Sequence, residues 1–211
     1  MNAASTAPVG FARSYSGIFL VLCAAFIPFP LLNFTFQQKI TELLFSNLIG
    51  AVYHFLTGTK LRVTGISSDS SSMYLLVFLL LFFAAIAALI PFIKKKSGNI
   101  NSVNYKICCG YLCFVLLKYG LDKIFKTQFY LPEPNILFTP AGNLDKDILY
   151  WSCMGSSRVF NLATGAIEIL TAIFLFFKRT RQAGILMAMV VLVNVLLVNI
   201  SFNISVKLFS T

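Results

Sequence analysis

The chain has 211 residues, of which 58% are hydrophobic and only 11% charged, and its mean hydropathy is +0.82. A soluble domain carries about a quarter charged residues, so composition excludes a soluble globular protein and places the chain in a lipid bilayer. The formal net charge of +10 would suit nucleic acid, but the basic residues stand in short runs between apolar stretches, where they form a collar at the headgroups and leave no nucleic-acid surface.

Five stretches approach the ~20 apolar residues that a bilayer crossing needs: 16–36, 73–93, 103–125, 160–177 and 183–202. In the first, Arg13 precedes an apolar core and Ala24-Ala25 follow it, as in a signal peptide. The apolar run nevertheless continues through Pro28-Phe29-Pro30 to Phe36, too long for such a core, and Leu22 is too large for a lipoprotein cleavage box before Cys23. The segment therefore reads as a retained span. After it, Ile40, Leu43, Leu44, Leu48, Ala51, Val52 and Phe55 fall on one helical face, which predicts an amphipathic helix at the outer surface with His54 near its end. A polar loop, 65–72, leads into the second span.

Lys94, Lys95, Lys96 and Lys106 bracket the connection after the second span, and Lys178, Arg179 and Arg181 fill the one after the fourth; neither holds an acid. Glu42, Asp69, Glu133, Asp145 and Asp147 lie in the other connections. Short loops rich in Lys and Arg stay in the cytoplasm, which puts the N-terminus inside and, after five spans, the C-terminus outside. The long connection 126–157 carries Pro132, Pro134 and Pro140, then Ile148-Leu149-Tyr150-Trp151. It predicts turns and a short helix entering the headgroups, anchored by Trp151. The expected fold is all-α: a polytopic membrane helix bundle of five transmembrane helices plus the amphipathic outer helix, one membrane domain over 1–211.

Cys108, Cys109 and Cys113 lie on one helix without a Cys-x-x-Cys pair, and the single His54 is far away in sequence. No metal site is expected, and the cysteines read as small buried hydrophobes. Ionisable residues within spans are expensive and mark sites. Lys118, Asp122 and Lys126 recur every four residues on the third span, a face continued by Cys108, Tyr111 and Val115. On the fourth, Asn161, Gly165, Glu168 and Ala172 share a face; on the fifth, Gly184, Ala188, Val191 and Asn194 do. Counted from the cytoplasmic ends at about 1.5 Å per residue, Glu168 and Asn194 lie at roughly 14 and 16 Å and Lys118 at about 20 Å. The expected constellation is a Lys118–Glu168 pair supported by Asn194, with Asp122 holding Lys118 or Lys126 along its own helix. Two readings follow: a polar network that fixes helix register, or a proton and quinone-headgroup site. In the second, Glu168 accepts a proton while Lys118, Tyr111 and Asn194 meet the ligand.

The strings YGLDKIFKTQFYLPEPN (119–135), TPAGNL (139–144), YWSCMGSS (150–157), FNLATGAIEIL (160–170), FFKRTRQAG (176–184) and NVLLVNISFNISVKLFS (194–210) follow in that order. On these the segment 105–211 resembles the DoxX-like integral membrane proteins of the Bacteroidetes type. The resemblance implies a bacterial inner-membrane bundle and, by analogy, the membrane subunit of a quinone-linked redox system with a soluble or membrane redox partner. It supplies no shared catalytic motif. Glu168, Arg179, Thr180 and Gly184 match the family's recurrent Glu and Arg-Thr-x-x-Gly positions, whereas Asn203 stands where the family has an aspartate. From another class, a structural or scaffolding membrane protein is the alternative; a small transporter is disfavoured because no inverted repeat is visible. Neither Gly nor Pro follows the apolar positions after Asn203, so no helix stop is read there. The family's further apolar helix would begin where the chain ends at Thr211, and a truncated member is the expectation.

The charge asymmetry predicts the topology directly. A single cysteine engineered near Asn143 is labelled by an impermeant maleimide added outside intact cells, and one near Ser97 is not. The reverse pattern overturns the orientation.

Overall fold

A computed structural model describes residues 11–28, 35–60, 63, 65–66, 69–93 and 98–206. Among these the fold is all-helical, with no strand. The helices are α1 (Phe11–Phe26), α2 (Thr35–Thr57), α3 (Ser71–Ile93), α4 (Gly98–Ile124), α5 (Pro134–Leu137), α6 (Lys146–Ser156), α7 (Arg158–Phe176) and α8 (Arg181–Ser201). A single 3₁₀ turn, Ala141–Asn143, interrupts the long connection. Four helices are long and apolar enough to cross a membrane, over Phe36–Thr57, Ser71–Ile90, Arg158–Phe176 and Arg181–Ser201. The chain is thus a helical membrane bundle. It divides into two compact units, Met1–Cys108 and Cys109–Thr211, with the boundary inside α4.

In the first unit the expected first span, 16–36, is not one helix. α1 ends at Phe26, and its 16 residues make it a shorter apolar helix. Pro28 explains the stop, since it disfavours helical backbone in the residue before it and has no N–H to donate; 29–34 lie outside the described residues. α2 follows as a separate helix whose start is tied to the end of α1. Gln37 Nε2 donates to the Ile27 carbonyl at 2.9 Å and Thr41 Oγ1 to the Phe26 carbonyl at 2.9 Å.

α2 buries Thr41, Phe45 and Ile49, spaced four apart, with Phe45 in ring contact with Phe26 and Phe83. The apolar face read from the sequence points away from the rest of the unit: Leu43 is 79% and Phe55 89% exposed. An outward apolar face suits a helix bathed in lipid. After α2 the chain returns to it, and Ile66 N donates to Glu42 Oε1 at 3.4 Å. The loop 94–97 lies outside the described residues. Beyond it Gly17 on α1 meets Asn104 on α4, where a β-carbon would fall 3.2 Å from Asn104 Nδ2.

In the second unit, α7 and α8 form a hairpin over the turn at Lys178–Thr180. Thr180 Oγ1 donates to the Phe174 carbonyl at 3.0 Å and Arg181 Nε to the Leu175 carbonyl at 3.0 Å, satisfying carbonyls that the end of α7 leaves open. Gly184 lets the pair close, because a β-carbon there would lie 2.6 Å from Leu175 N. Leu116, Ala172, Leu175 and Ala188 make the core that joins this hairpin to α4.

Expected spans 73–93, 160–177 and 183–202 coincide with α3, α7 and α8 within a few residues. The third expected span, 103–125, lies in α4. That helix has the length, at 27 residues, but its charges keep it out of the four apolar spans. α8 does stop: Asn203 takes a left-handed φ of 54°, Ile204 N donates to the Asn199 carbonyl at 3.0 Å and Asn203 N to the Ile200 carbonyl at 3.4 Å. This is a Schellman end with Asn in place of Gly, and it closes α8 where the expected span 183–202 ends. Residues 207–211 lie outside the described residues.

α4 crosses α7 on two glycines. A β-carbon at Gly165 would sit 2.6 Å from the Gly120 carbonyl, and one at Gly120 2.8 Å from the Gly165 carbonyl. Gly165→Val is expected to lower the unfolding free energy of the detergent-solubilised chain by about 1–3 kcal/mol, the usual cost of overpacking. Gly142→Ala, where no atom lies within 4 Å, is expected to change it by less than about 0.5 kcal/mol. Equal midpoints for the two variants in thermal denaturation would show that the crossing is loose.

Candidate functional site

Glu168 is buried, 5% exposed, at the middle of α7. Its partner is Lys123, itself 8% exposed. Lys123 Nζ donates to Glu168 Oε1 at 2.6 Å and to Oε2 at 2.7 Å, so one ammonium engages both carboxylate oxygens. The Tyr119 and Phe129 rings complete its surroundings, with centroids 5.5 and 5.9 Å from Nζ. Ring faces attract a cation that has left water, so the aromatic walls lower the cost of holding Lys123 there.

The expected Lys118–Glu168 pair does not form. Lys118 binds Asp122 on its own helix instead, which was the intrahelical contact anticipated for Asp122. Helical phase explains the change. Gly120 faces α7, and at 3.6 residues per turn Lys123 and Ile124 lie within roughly 60° of it, whereas Lys118 and Asp122 lie about 160° away. Depth counting also failed, because it set the ends of α4 and α7 in one plane. The crossing puts Ile124 beside Gly165, with 2.9 Å from a built β-carbon to Ile124 Cγ1, so the last turn of α4 reaches down toward Glu168. Asn194 is exposed on α8 and does not support the pair. Tyr111 is half-buried on α4, within electrostatic range of Tyr119. Sequence reasoning missed Lys123, although its place three residues after Gly120 was the available signal.

Asp122 also ends α4. Its side chain accepts from Thr127 Oγ1 at 2.8 Å and its carbonyl from Thr127 N at 2.9 Å, while Lys126 takes a left-handed φ of 58°. With Lys126 N donating to the Lys123 carbonyl at 3.3 Å, this is a second Schellman end without glycine. Lys126 Nζ then donates to the Gly155 carbonyl at 3.2 Å, tying the end of α4 to α6. Gly155 has no room for a side chain, since a β-carbon would collide with the Tyr130 carbonyl.

Phe129, Tyr150, Trp151 and Phe202 stack over this end of the unit: Phe129–Trp151 centroids are 5.3 Å apart and Tyr150–Phe202 4.8 Å. Trp151 therefore packs as part of a lid over the ion pair rather than standing alone as an anchor. Burial pushes the Tyr150 phenol above its ordinary value, and the Glu168 carboxylate adds to the shift, so the lid stays neutral at physiological pH. Among the described residues no cluster of His, Cys, Asp and Glu could hold a metal ion.

No family model and no solved structure matches the chain. An uncharacterized protein of Bacillus subtilis (strain 168), YwoB, is 34% identical over 101 residues, or 48% of this chain. The chain spans 64% of that relative's length.

Removing one member of a buried pair strands the other, at a cost of about 3–5 kcal/mol, whereas replacing both with apolar residues of similar size is far milder. Lys123→Met and Glu168→Leu are each expected to destabilise strongly, and the double variant to recover most of the loss. Lys118→Met and Glu168→Leu are expected to add without coupling. Thermal denaturation of the three single and two double variants in detergent checks both statements, and coupling of Glu168 to Lys118 instead of Lys123 would refute the assignment.

Proposed function

We propose that the chain is a DoxX-like protein of the bacterial inner membrane serving a quinone-linked redox system, with Lys123–Glu168 as its proton-handling site. The observation that carries the reading is that ion pair, buried at the α4–α7 crossing. Ions held at such depth are retained for proton or ligand work. The opposite face of α4 presents Tyr111, Lys118 and Asp122 among exposed Phe114, Leu121 and Phe125. An apolar surface with one charged pair fits a headgroup arriving from the lipid, and the Lys118 ammonium and Tyr111 hydroxyl are the donors for its carbonyl oxygens. A quinone supplies two-electron chemistry and needs protons when reduced. Tyr119 lies within electrostatic range of both Asp122 and Glu168, so it stands between the two faces. Glu168 holds the reserve proton, and the Tyr119 and Phe129 rings keep Lys123 in place while the carboxylate is neutral.

In this reading the short α1 crosses the membrane together with α3, α4, α7 and α8, with 94–97 and 178–180 in the cytoplasm. α2 lies along the outer interface with its apolar face down, and the N-terminus is cytoplasmic. A soluble or membrane partner passes electrons to the quinone.

A structural role is the second reading. What favours it is that the pair sits on the Gly120–Gly165 contact, where it fixes the register of α4 on α7 whatever else it does.

Solvent extraction of the full chain, purified in mild detergent with its lipids, separates the two. Quinone is expected to co-purify in near-stoichiometric amount, to fall severalfold in Lys118→Met, and to quench the fluorescence of the single Trp151 on addition. Absence of both quinone and quenching leaves the structural reading.

A further inference from the structure

Asn161 is 1% exposed, and neither its Oδ1 nor its Nδ2 has a hydrogen-bond partner. Gln128 Oε1 is buried and unpartnered as well. A buried amide with nothing to bind is costly, so such groups mark a site for water or a ligand. Both belong to the same end of the α4–α7 crossing. Gly120 meets Gly165 and Ile169, and Gly165 meets Ile124 and Lys123, so α4 and α7 run antiparallel. Asn161, one turn before Gly165, therefore comes level with the end of α4, which Gln128 follows by four residues and to which its N–H bonds back at the Asp122 carbonyl. Both lie on the side of the ion pair that faces the 126–157 connection.

A cavity of about 60 Å³ opens on that same side, lined by Gln128, Tyr130, Ile136, Ile148, Trp151 and Ser152. A water needs about 10–15 Å³ of such space and two or more polar partners. The cavity has room for a few waters, and Gln128 belongs both to its wall and to the unpartnered pair.

We propose that waters fill this cavity and the space between Gln128 and Asn161, forming a proton path from the 126–157 side to Glu168. The proposal rests on the proton-handling reading and adds the side from which protons arrive. A hydronium at the cavity mouth passes its proton along the waters, and the Glu168 carboxylate takes it up, leaving water and a neutral carboxyl. Lys123 keeps its charge against the Tyr119 and Phe129 rings. No oxidant or further reactant is involved.

Hydroxyl-radical labelling of the unsubstituted full chain in nanodiscs tests the hydration, because radicals formed from internal water oxidise side chains that bulk solvent does not reach. Phe129, 3% exposed, is expected to be oxidised at a rate approaching that of exposed Phe138. Leu116 and Leu175, equally buried, stay unmodified after correction for intrinsic reactivity. A Phe129 as inert as Leu175 overturns the path. Asn161→Leu gives a second readout with opposite signs. If the amide holds water, the apolar replacement lowers the thermal midpoint; if it faces a dry void, the midpoint rises and the proposal fails. Should that variant not fold, the labelling result stands by itself. A hydrated Phe129 in a protein that binds no quinone would defeat the redox reading and keep the path. A dry Phe129 in a quinone-binding protein would do the reverse.

Discussion

The second unit is arranged around one constraint: a carboxylate and an ammonium shut away from water must stay together. At 2.6 and 2.7 Å the Lys123–Glu168 contact tolerates little drift between α4 and α7. Two glycines make that spacing available, because any side chain at Gly120 or Gly165 would hold the backbones apart. The aromatic walls follow from the same need, since desolvation of the ammonium is offset by rings where no further carboxylate is at hand.

The ordered connection between α4 and α7 is a consequence. α4 has to end close to Lys123, and the chain must then close over a charged pair that lies near the end of the helix. Asp122 and Lys126 make the end, Lys126 reaches the Gly155 carbonyl, and the absence of a β-carbon at Gly155 lets Tyr130 pass against α6. Phe129 and Trp151 then lie over the pair. The turns and short helix expected over 126–157 are present, the helix as α6, and what the sequence did not show is that Phe129 and Trp151 pack on one another next to the pair.

Hydropathy made α3, α7 and α8 legible, because a continuous apolar run needs only length to be recognised. The end of α1 was written in Pro28, but the apolar count ran across it. α2 was legible as a helix with one apolar face, and what the sequence did not show is that its buried side is carried by Thr41, Phe45 and Ile49 while Leu43 and Phe55 stay exposed. Glu168 was legible as a site because a lone acid in an apolar run has few ordinary explanations. Its partner was not, since Lys118 and Lys123 are both within reach in sequence and only helical phase relative to Gly120 separates them. Both Schellman ends use non-glycine residues, Lys126 and Asn203, in left-handed backbone, where a search for Gly or Pro finds nothing.

α4 shows why counting charges residue by residue misreads a membrane helix. Lys118, Asp122 and Lys123 would each oppose insertion if taken singly. In place, Lys118 is matched by Asp122 and Lys123 by Glu168, so among the described residues three of the four charged side chains of the helix stand in ion pairs. The cost of the helix therefore belongs to the assembled unit. α4 suits a bilayer only with α7 beside it, and α7 in turn holds Glu168 at least cost with Lys123 in place. The Lys123 charge of α4 and the carboxylate of α7 are thus matched only in the assembled unit, where the Gly120–Gly165 contact brings Lys123 to Glu168.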